Sequence, residues 1–199
     1  MKNYEGLTDE ALALLYVEGD NRAFDELLSR TQQKLFTYIM FVVRDEDTAN
    51  DIFQDTFVKV IVRLQQRQYT DSGKFMFWIT RIAHNVIMDW YRSQQYDPIV
   101  ELSDDNDLSN LRGEATVDAC REDELVREQV LTDVKRIMNA LPAPQREVVY
   151  MRYYKQLSFK EIAELTGVSI NTALGRMRYA ILNMRRMAKN YKIELALAS

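Results

Sequence analysis

The stretch "EIAELTGVSINTALGRMR", residues 161–178, sets one glycine between two runs of helix-forming residues and brings arginine in at Arg176 and Arg178. Just upstream, Ser158 stands three residues before Glu161, the reciprocal pair that satisfies free amides at a helix start. Ile162, Ala163 and Leu165 supply an apolar side to this helix, and Ala163 is small where a second helix would cross closely. Gly167 can take the positive backbone angle that ends it, and Ser169 or Asn171 can cap the next. That next helix carries Ala173, Met177, Ala180, Ile181 and Met184 on one face. Thr172, Arg176 and Tyr179 fall on the other, with Asn171 at the start and Arg178 at the edge. The spacing predicts a helix-turn-helix.

A second helix held by its apolar face against the first projects its early side chains outward, as a recognition helix does in the DNA major groove. An arginine there can bond two acceptors of a guanine edge, worth about 1 to 3 kcal/mol of discrimination, while its basic neighbours hold phosphates. The alternative from spacing alone is an ordinary helical hairpin with a solvated arginine face.

The rest of the chain agrees with a helical protein. Six Gly and three Pro in 199 residues leave little turn chemistry, and no Gly-rich phosphate loop is present. Apolar residues recur at three and four positions, as in Leu12, Leu15, Tyr16 and in Phe53, Phe57, Val60, Ile61, Leu64, which is the helical period. The fold class expected is all-α. No apolar run approaches the roughly 18 residues a membrane span requires, and the N-terminus lacks a signal pattern, so a cytoplasmic location is expected. One Cys, Cys120, and one His, His84, cannot form a disulfide or a structural zinc site. No cofactor or metal is expected, and no nucleophile–base pair that would make the chain an enzyme.

The net charge of −4 hides a segregated distribution. Residues 1–55 carry 5 basic and 12 acidic side chains, 56–96 carry 6 and 2, and 97–124 carry 2 and 10. Residues 141–192 carry 10 and 3, a net of +7 that favours the nucleic-acid reading of the helix-turn-helix. The acidic stretch contains a Pro, scattered Asp, Ser and Asn, and no sustained helical stripe, the composition of a linker. Two small helical domains are therefore expected at 1–95 and 125–199, joined by an acidic flexible linker at 96–124. Within them, "GD" at 19–20, "RDED" at 44–47, "QYTDSGKF" at 68–75 and "LPAP" at 141–144 look like breaks between helices.

"GKFMFWITRIAHNVIMDWYRSQ", residues 73–94, mixes Phe75, Phe77, Trp78, Trp90 and Tyr91 with Lys74, Arg81 and Arg92. Ile79, Ile82 and Val86 are spaced to face a core, and Phe75 and Trp78 fit a core as well. Aromatics left exposed beside basic residues would instead capture unpaired bases, each stack worth about 1 to 3 kcal/mol. His84 reads as a surface or backbone-bonded side chain.

Together these stretches resemble the extracytoplasmic-function (ECF) class of bacterial RNA polymerase sigma factors. "GDNRAFDELLSRTQQKLFTYIMFVVRDEDTANDIFQDTFVKVI" resembles the opening of sigma region 2, and "FMFWITRIAHNVIMDWYRSQ" its promoter-melting part. "LPAPQREVVYMRYYKQLSFKEIAELTGVSINTALGRMRYAILNMR" resembles region 4. The resemblance implies core RNA polymerase as partner, through its beta-prime clamp and beta flap, together with promoter DNA and, for many relatives, an anti-sigma factor. It implies that Asp51, Gln54, Asp55 and Phe57 dock on the clamp. It implies that Lys74, Phe75, Arg81, Asn85 and Arg92 serve the minus-10 element. Ser169, Asn171, Thr172, Arg176 and Arg178 would serve the minus-35 element. The class often has basic residues where Met76, His84, Leu174 and Tyr179 stand, so the promoter preferred need not be the usual one.

Magnitudes also argue for a partner. Opening roughly ten base pairs costs on the order of 14 kcal/mol at about 1.4 per step, whereas capturing two bases returns about 2 to 6 kcal/mol. The alternative class is a helix-turn-helix regulator that binds duplex DNA without polymerase. The acidic linker has two readings, a solvated tether or a nucleic-acid mimic for a basic polymerase channel.

Overall fold

In the computed structural model the described residues are 4–69, 73–96 and 134–190. Seven helices carry the architecture: α1 Asp9–Val17, α2 Asn21–Val43, α3 Glu46–Gln65, α4 Phe75–Tyr96, α5 Ala143–Tyr153, α6 Phe159–Thr166 and α7 Ile170–Asn190. A short helical segment at 134–139 precedes α5, and no strand occurs among the described residues. The acidic linker, with Cys120, lies outside them.

Three of the expected breaks, at 19–20, 44–47 and 141–144, are built by local chemistry. Thr8 caps α1 by accepting from the Ala11 amide at 3.2 Å, and Asp9 and Glu10 put negative charge at the positive end of its dipole. Gly19, at φ 101°, turns the chain into α2. The α2 helix ends on Arg44 in the left-handed region, after which Asp45 caps α3 through a 2.8 Å bond from the Thr48 amide. Pro142 and Pro144 open α5, where missing amides cost nothing.

In α2 the buried residues Leu27, Thr31, Leu35, Tyr38, Ile39 and Val42 recur at three- and four-residue steps and form the spine of the first unit. The buried row of α3 overlaps only in part with the apolar residues that mark its helical period. It is Ile52, Thr56, Val60 and Leu64, while Phe53, Phe57 and Ile61 are half-buried beside it. Thr56 can occupy the centre because its hydroxyl donates to the Ile52 carbonyl at 2.7 Å, leaving its methyl to pack. The two phenylalanines pack instead at the flank, Phe53 against Phe57 at 4.8 Å and edge-on to Phe36 at 5.8 Å.

α4 buries Phe75, Ile79, Ile82, Ala83, Val86 and Ile87 against α2 and α3. Its first amide, on Phe75, donates to Glu10 Oε1 of α1 at 2.9 Å. A carboxylate 65 residues away thus does the work of a local cap, and that bond holds the Glu10 carboxyl below the usual carboxylate range.

In the second unit α5 is buried continuously from Arg146 to Met151. Six consecutive residues span every direction around a helix, so α5 is enclosed by neighbours on all sides. α7 and α6 cover part of it, and α2 of the first unit covers another part. The two units are seated on each other, α2 on α5 and α4 on α6. Tyr150 stacks near Phe41 at 4.7 Å and Tyr38 at 5.7 Å across this seam.

Candidate nucleic-acid and polymerase interfaces

The helix-turn-helix is assembled as its residues require. Ser158 Oγ accepts from the Glu161 amide at 3.2 Å while Glu161 accepts from the Ser158 amide at 2.9 Å, closing the capping box. Gly167 ends α6 at φ 67°, and the Val168 amide reaches back to the Ala163 carbonyl at 3.1 Å. Ile162, Ala163 and Leu165 are buried, and α7 answers with Ala173, Met177 and Ala180. Ile181 and Met184 are half-buried.

That seating leaves Asn171, Thr172, Arg178 and Tyr179 exposed, with Arg176 half-buried. Ser169 is exposed but occupied as the cap, accepting from the Thr172 amide at 3.0 Å and sharing a 2.8 Å bond with the Thr172 hydroxyl. Of the two capping candidates, Ser169 is the one used. Arg176, Thr172 and Tyr179 line a shallow groove with Pro142, Pro144, Gln145 and Gly175.

On α4, four of the five expected residues share one exposed stripe. Lys74, Arg81, Asn85 and Arg92 are separated by seven, four and seven positions, which brings them to nearly the same side of a helix, and all four are exposed. Lys74 is paired with Glu161 of α6 at 3.4 Å, and Arg92 with Asp89 at 2.8 Å. Phe75 requires a correction. It is 2% exposed, edge-on to Tyr69 at 5.4 Å and 5.7 Å from Trp78, so its ring belongs to the core and cannot stack on a base in this conformation. An internal aromatic cluster outcompetes surface display because burying such a ring is worth about 1.5 to 3 kcal/mol.

His84 is the second correction. It is buried, and its Nδ1 lies 2.7 Å from Glu147 Oε1 of α5. Tyr38 of α2 donates to the same oxygen, and Glu147 Oε2 is buried with no hydrogen-bond partner among the described residues. Burial first, and then the Glu147 carboxylate, push the Tyr38 phenol well above its ordinary value, which keeps it a donor. Neighbouring Arg146 donates to the carbonyls of Leu141, at 2.9 Å, and of Val42 on α2. Desolvation, with Arg44 nearby, lowers its pKa.

On α3, Asp51, Gln54 and Asp55 are exposed and Phe57 is half-buried against Phe53. The same exposed row continues through Val58 and Val62, 59% and 43% exposed, which the sequence reading did not single out. Asp51, Asp55, Val58 and Val62 follow one another at steps of four, three and four, and that helical spacing was the available signal.

Among the described residues no cluster of His, Cys, Asp and Glu could hold a metal ion, and no helix is long and apolar enough to cross a membrane. The fold and its exposed basic faces define a helical DNA-binding protein of the helix-turn-helix class. Family models for Sigma-70 region 2 and Sigma-70 region 4 match residues 27–96 and 131–176. The chain is 30% identical over 158 residues to the RNA polymerase sigma factor SigZ of Bacillus subtilis, covering 77% of this chain and 80% of that protein. It is 27% identical over 192 residues to the ECF RNA polymerase sigma-E factor of Haemophilus influenzae, covering 94% and 96%. Among solved structures, CnrH in complex with the cytosolic domain of CnrY aligns with a TM-score of 0.60 at 23% identity, over 92% of this chain and 97% of that one. The sigma factor RpoE in complex with the anti-sigma factor NepR from Bartonella quintana aligns at 0.58 and 21%, over 83% and 96%. The chain belongs to the sigma-70 family, as an ECF-class RNA polymerase sigma factor, an alternative subunit that directs promoter recognition. Sigma factors are in general DNA-binding initiation factors rather than enzymes.

Proposed function

We propose that the two units divide promoter recognition between them and that a third surface joins the chain to core polymerase. The Asp51, Gln54 and Asp55 row of α3, extended by Val58 and Val62, docks on the polymerase clamp, with Phe57 buttressing it. The α4 stripe of Lys74, Arg81, Asn85 and Arg92 holds the minus-10 element. The outward side of α7, through Asn171, Thr172, Arg176 and Arg178, enters the major groove at the minus-35 element, and Ser169 holds the first turn of that helix in place. The beta flap is the expected second polymerase contact, made by the region 4 unit.

The observation that carries this reading is one of geometry. Two long helices bury an apolar face and leave a basic polar stripe outward, one in each unit, and a separate acidic and apolar row stands on α3. Basic stripes serve phosphates and base edges, whereas an acidic row would be repelled by DNA and suits a basic protein surface. With Phe75 in the core, the free chain has even less means of holding a melted strand, and the polymerase supplies the remainder. The protein on this reading has no catalysis of its own and works in the cytoplasm, with domain limits at 1–95, 96–124 and 125–199. Likeness to a sigma factor captured with an anti-sigma factor favours such an antagonist here too.

Gel-shift of promoter fragments, selected from genomic DNA by transcription in vitro, tests the reading. The expected result is a shift and a transcript only with core polymerase present. A shift of duplex DNA by the chain alone, with no effect of polymerase, would establish a free-standing regulator instead.

A further inference from the structure

We infer that Leu174, backed by Ile170, makes the start of α7 a reader of thymine, seating the C5-methyl group of that base against an apolar edge, and that Gly175 lets the helix backbone come close enough for the contact. The inference rests on the proposed placement of α7 in the major groove at the minus-35 element and names what is read there.

The first support is an apolar edge set among polar readers. Ile170 and Leu174 are 47% and 43% exposed and stand one turn apart in the first two turns of α7. A single exposed leucine is ordinary. Here, however, Leu174 has Asn171 three positions before it and Arg178 four positions after it, both exposed, which puts the three on one side of the helix. The side chains of Asn171 and Arg178 make no hydrogen bond or ion pair among the described residues. The edge thus lies between two polar groups open to a ligand, in the half of the helix that meets base edges. Leu182, 48% exposed, stands about 12 Å further along the axis, beyond the turns that reach bases.

The second support is the chemistry of the groove. Of the groups that base pairs present there, the thymine C5-methyl is the one that suits an aliphatic side chain; the rest are donors and acceptors. Leucine set against guanine or adenine would desolvate those groups without pairing them. The net charge of +7 over residues 141–192 draws this surface to a polyanion, which favours DNA over an apolar protein partner as what covers the edge.

The third support is Gly175, next to Leu174 and inside the helix. Glycine weakens a helix interior relative to alanine. A Cβ at this position would meet nothing within 4 Å, so packing does not require the glycine. The spot opens on the shallow groove it shares with Thr172, Arg176 and Tyr179. A missing side chain at such a place admits something from outside to the backbone, and the edge of a base pair is what the proposed placement brings there.

The test uses the full chain with core polymerase. Minus-35 elements selected by transcription in vitro are made again with deoxyuridine in place of one thymine at a time, which deletes the methyl group and keeps every hydrogen-bonding group. At one or two positions the exchange should weaken polymerase-dependent binding about fourfold, the value of one buried carbon. Leu174→Ala should bind the thymine and uracil elements alike, at the level the parent shows for uracil. Gly175→Ala should raise the melting temperature yet weaken binding to the parent element. A parent chain indifferent to uracil at every position would overturn the methyl contact, as would a thymine preference that survives in Leu174→Ala. Parent affinity in Gly175→Ala would overturn the close approach. If Leu174→Ala weakens association with core polymerase in the absence of DNA, the edge is a protein-docking surface instead. Elements bound equally well without polymerase would overturn the polymerase dependence of the proposed function, while the uracil comparison still decides the thymine contact.

Discussion

α4 and α7 are both long, both basic on one side, and both proposed to read DNA, yet they are held in opposite ways. α7 is seated on one face by Ala173, Met177 and Ala180, and its other face is left to solvent. α4 is packed on two sides. Phe75, Ile79, Ile82 and Val86 enter the core of its own unit, while buried Thr80 and His84 and half-buried Tyr91 run along a second side toward the seam. The lesson is that a helix anchored along one stripe displays whatever its local sequence puts opposite, whereas a helix held on two sides has its display decided by distant partners.

The largest test of this contrast lies off both helices. Asp51→Arg with Asp55→Arg should abolish association with core polymerase in co-elution, with helicity by circular dichroism unchanged. Retained association would mean that the α3 row is not the main docking surface. Next, Phe75→Ala should cost about 3 to 5 kcal/mol in urea unfolding of the full chain, as for a core aromatic. A loss under about 0.5 kcal/mol, the range of surface positions, would return Phe75 to the surface and make α4 resemble α7. Arg176→Ala should weaken polymerase-dependent binding to the upstream element by about 1 to 3 kcal/mol while leaving stability unchanged. If the loss is equal on every upstream sequence, Arg176 holds phosphate and does not read a base.

Two smaller changes probe how each helix is begun. Ser158→Ala should destabilise the helix-turn-helix by about 1 kcal/mol, read as a lower melting temperature. Glu10→Gln tests the remote cap of α4. The Glu10 carboxyl is held low by the Phe75 amide, so its contribution is present above the ordinary carboxylate range and is lost as pH falls through the lowered folded value. The parent should lose stability to the variant's level as pH drops from about 7 toward about 3. A pH-independent difference between the two would show that the carboxylate charge is irrelevant to the cap.

What was legible in the sequence follows the same division. The turn at Gly167, the Ser158–Glu161 box, the break at 44–47 and the buried Ile79, Ile82 and Val86 depend on residues within four positions of each other, and the sequence pattern predicts all of them. The apolar period that marks α3 as a helix does not include Thr56, whose hydroxyl bonds to the preceding turn so that it packs like a short aliphatic residue. The Glu10 cap of α4 and the His84–Glu147 contact join residues 65 and 63 positions apart. No local period encodes such pairs, so His84 looked like a surface residue and the seam between the units was invisible. Phe75 stood among the DNA contacts through the family resemblance, although its spacing also fits a core, where its ring meets Tyr69.

The one-sided seat of α7 has a consequence for how such a protein diversifies. Asn171, Thr172 and Arg178 are exposed and make no contribution to the buried face on which the helix rests. Surface exchanges of this kind typically shift stability by no more than about 0.5 kcal/mol. If these positions read DNA as proposed, a duplicated copy can drift to new target genes without first having to repair its fold; on α4 that freedom is confined to the exposed stripe, with buried Thr80 and His84 close beside it.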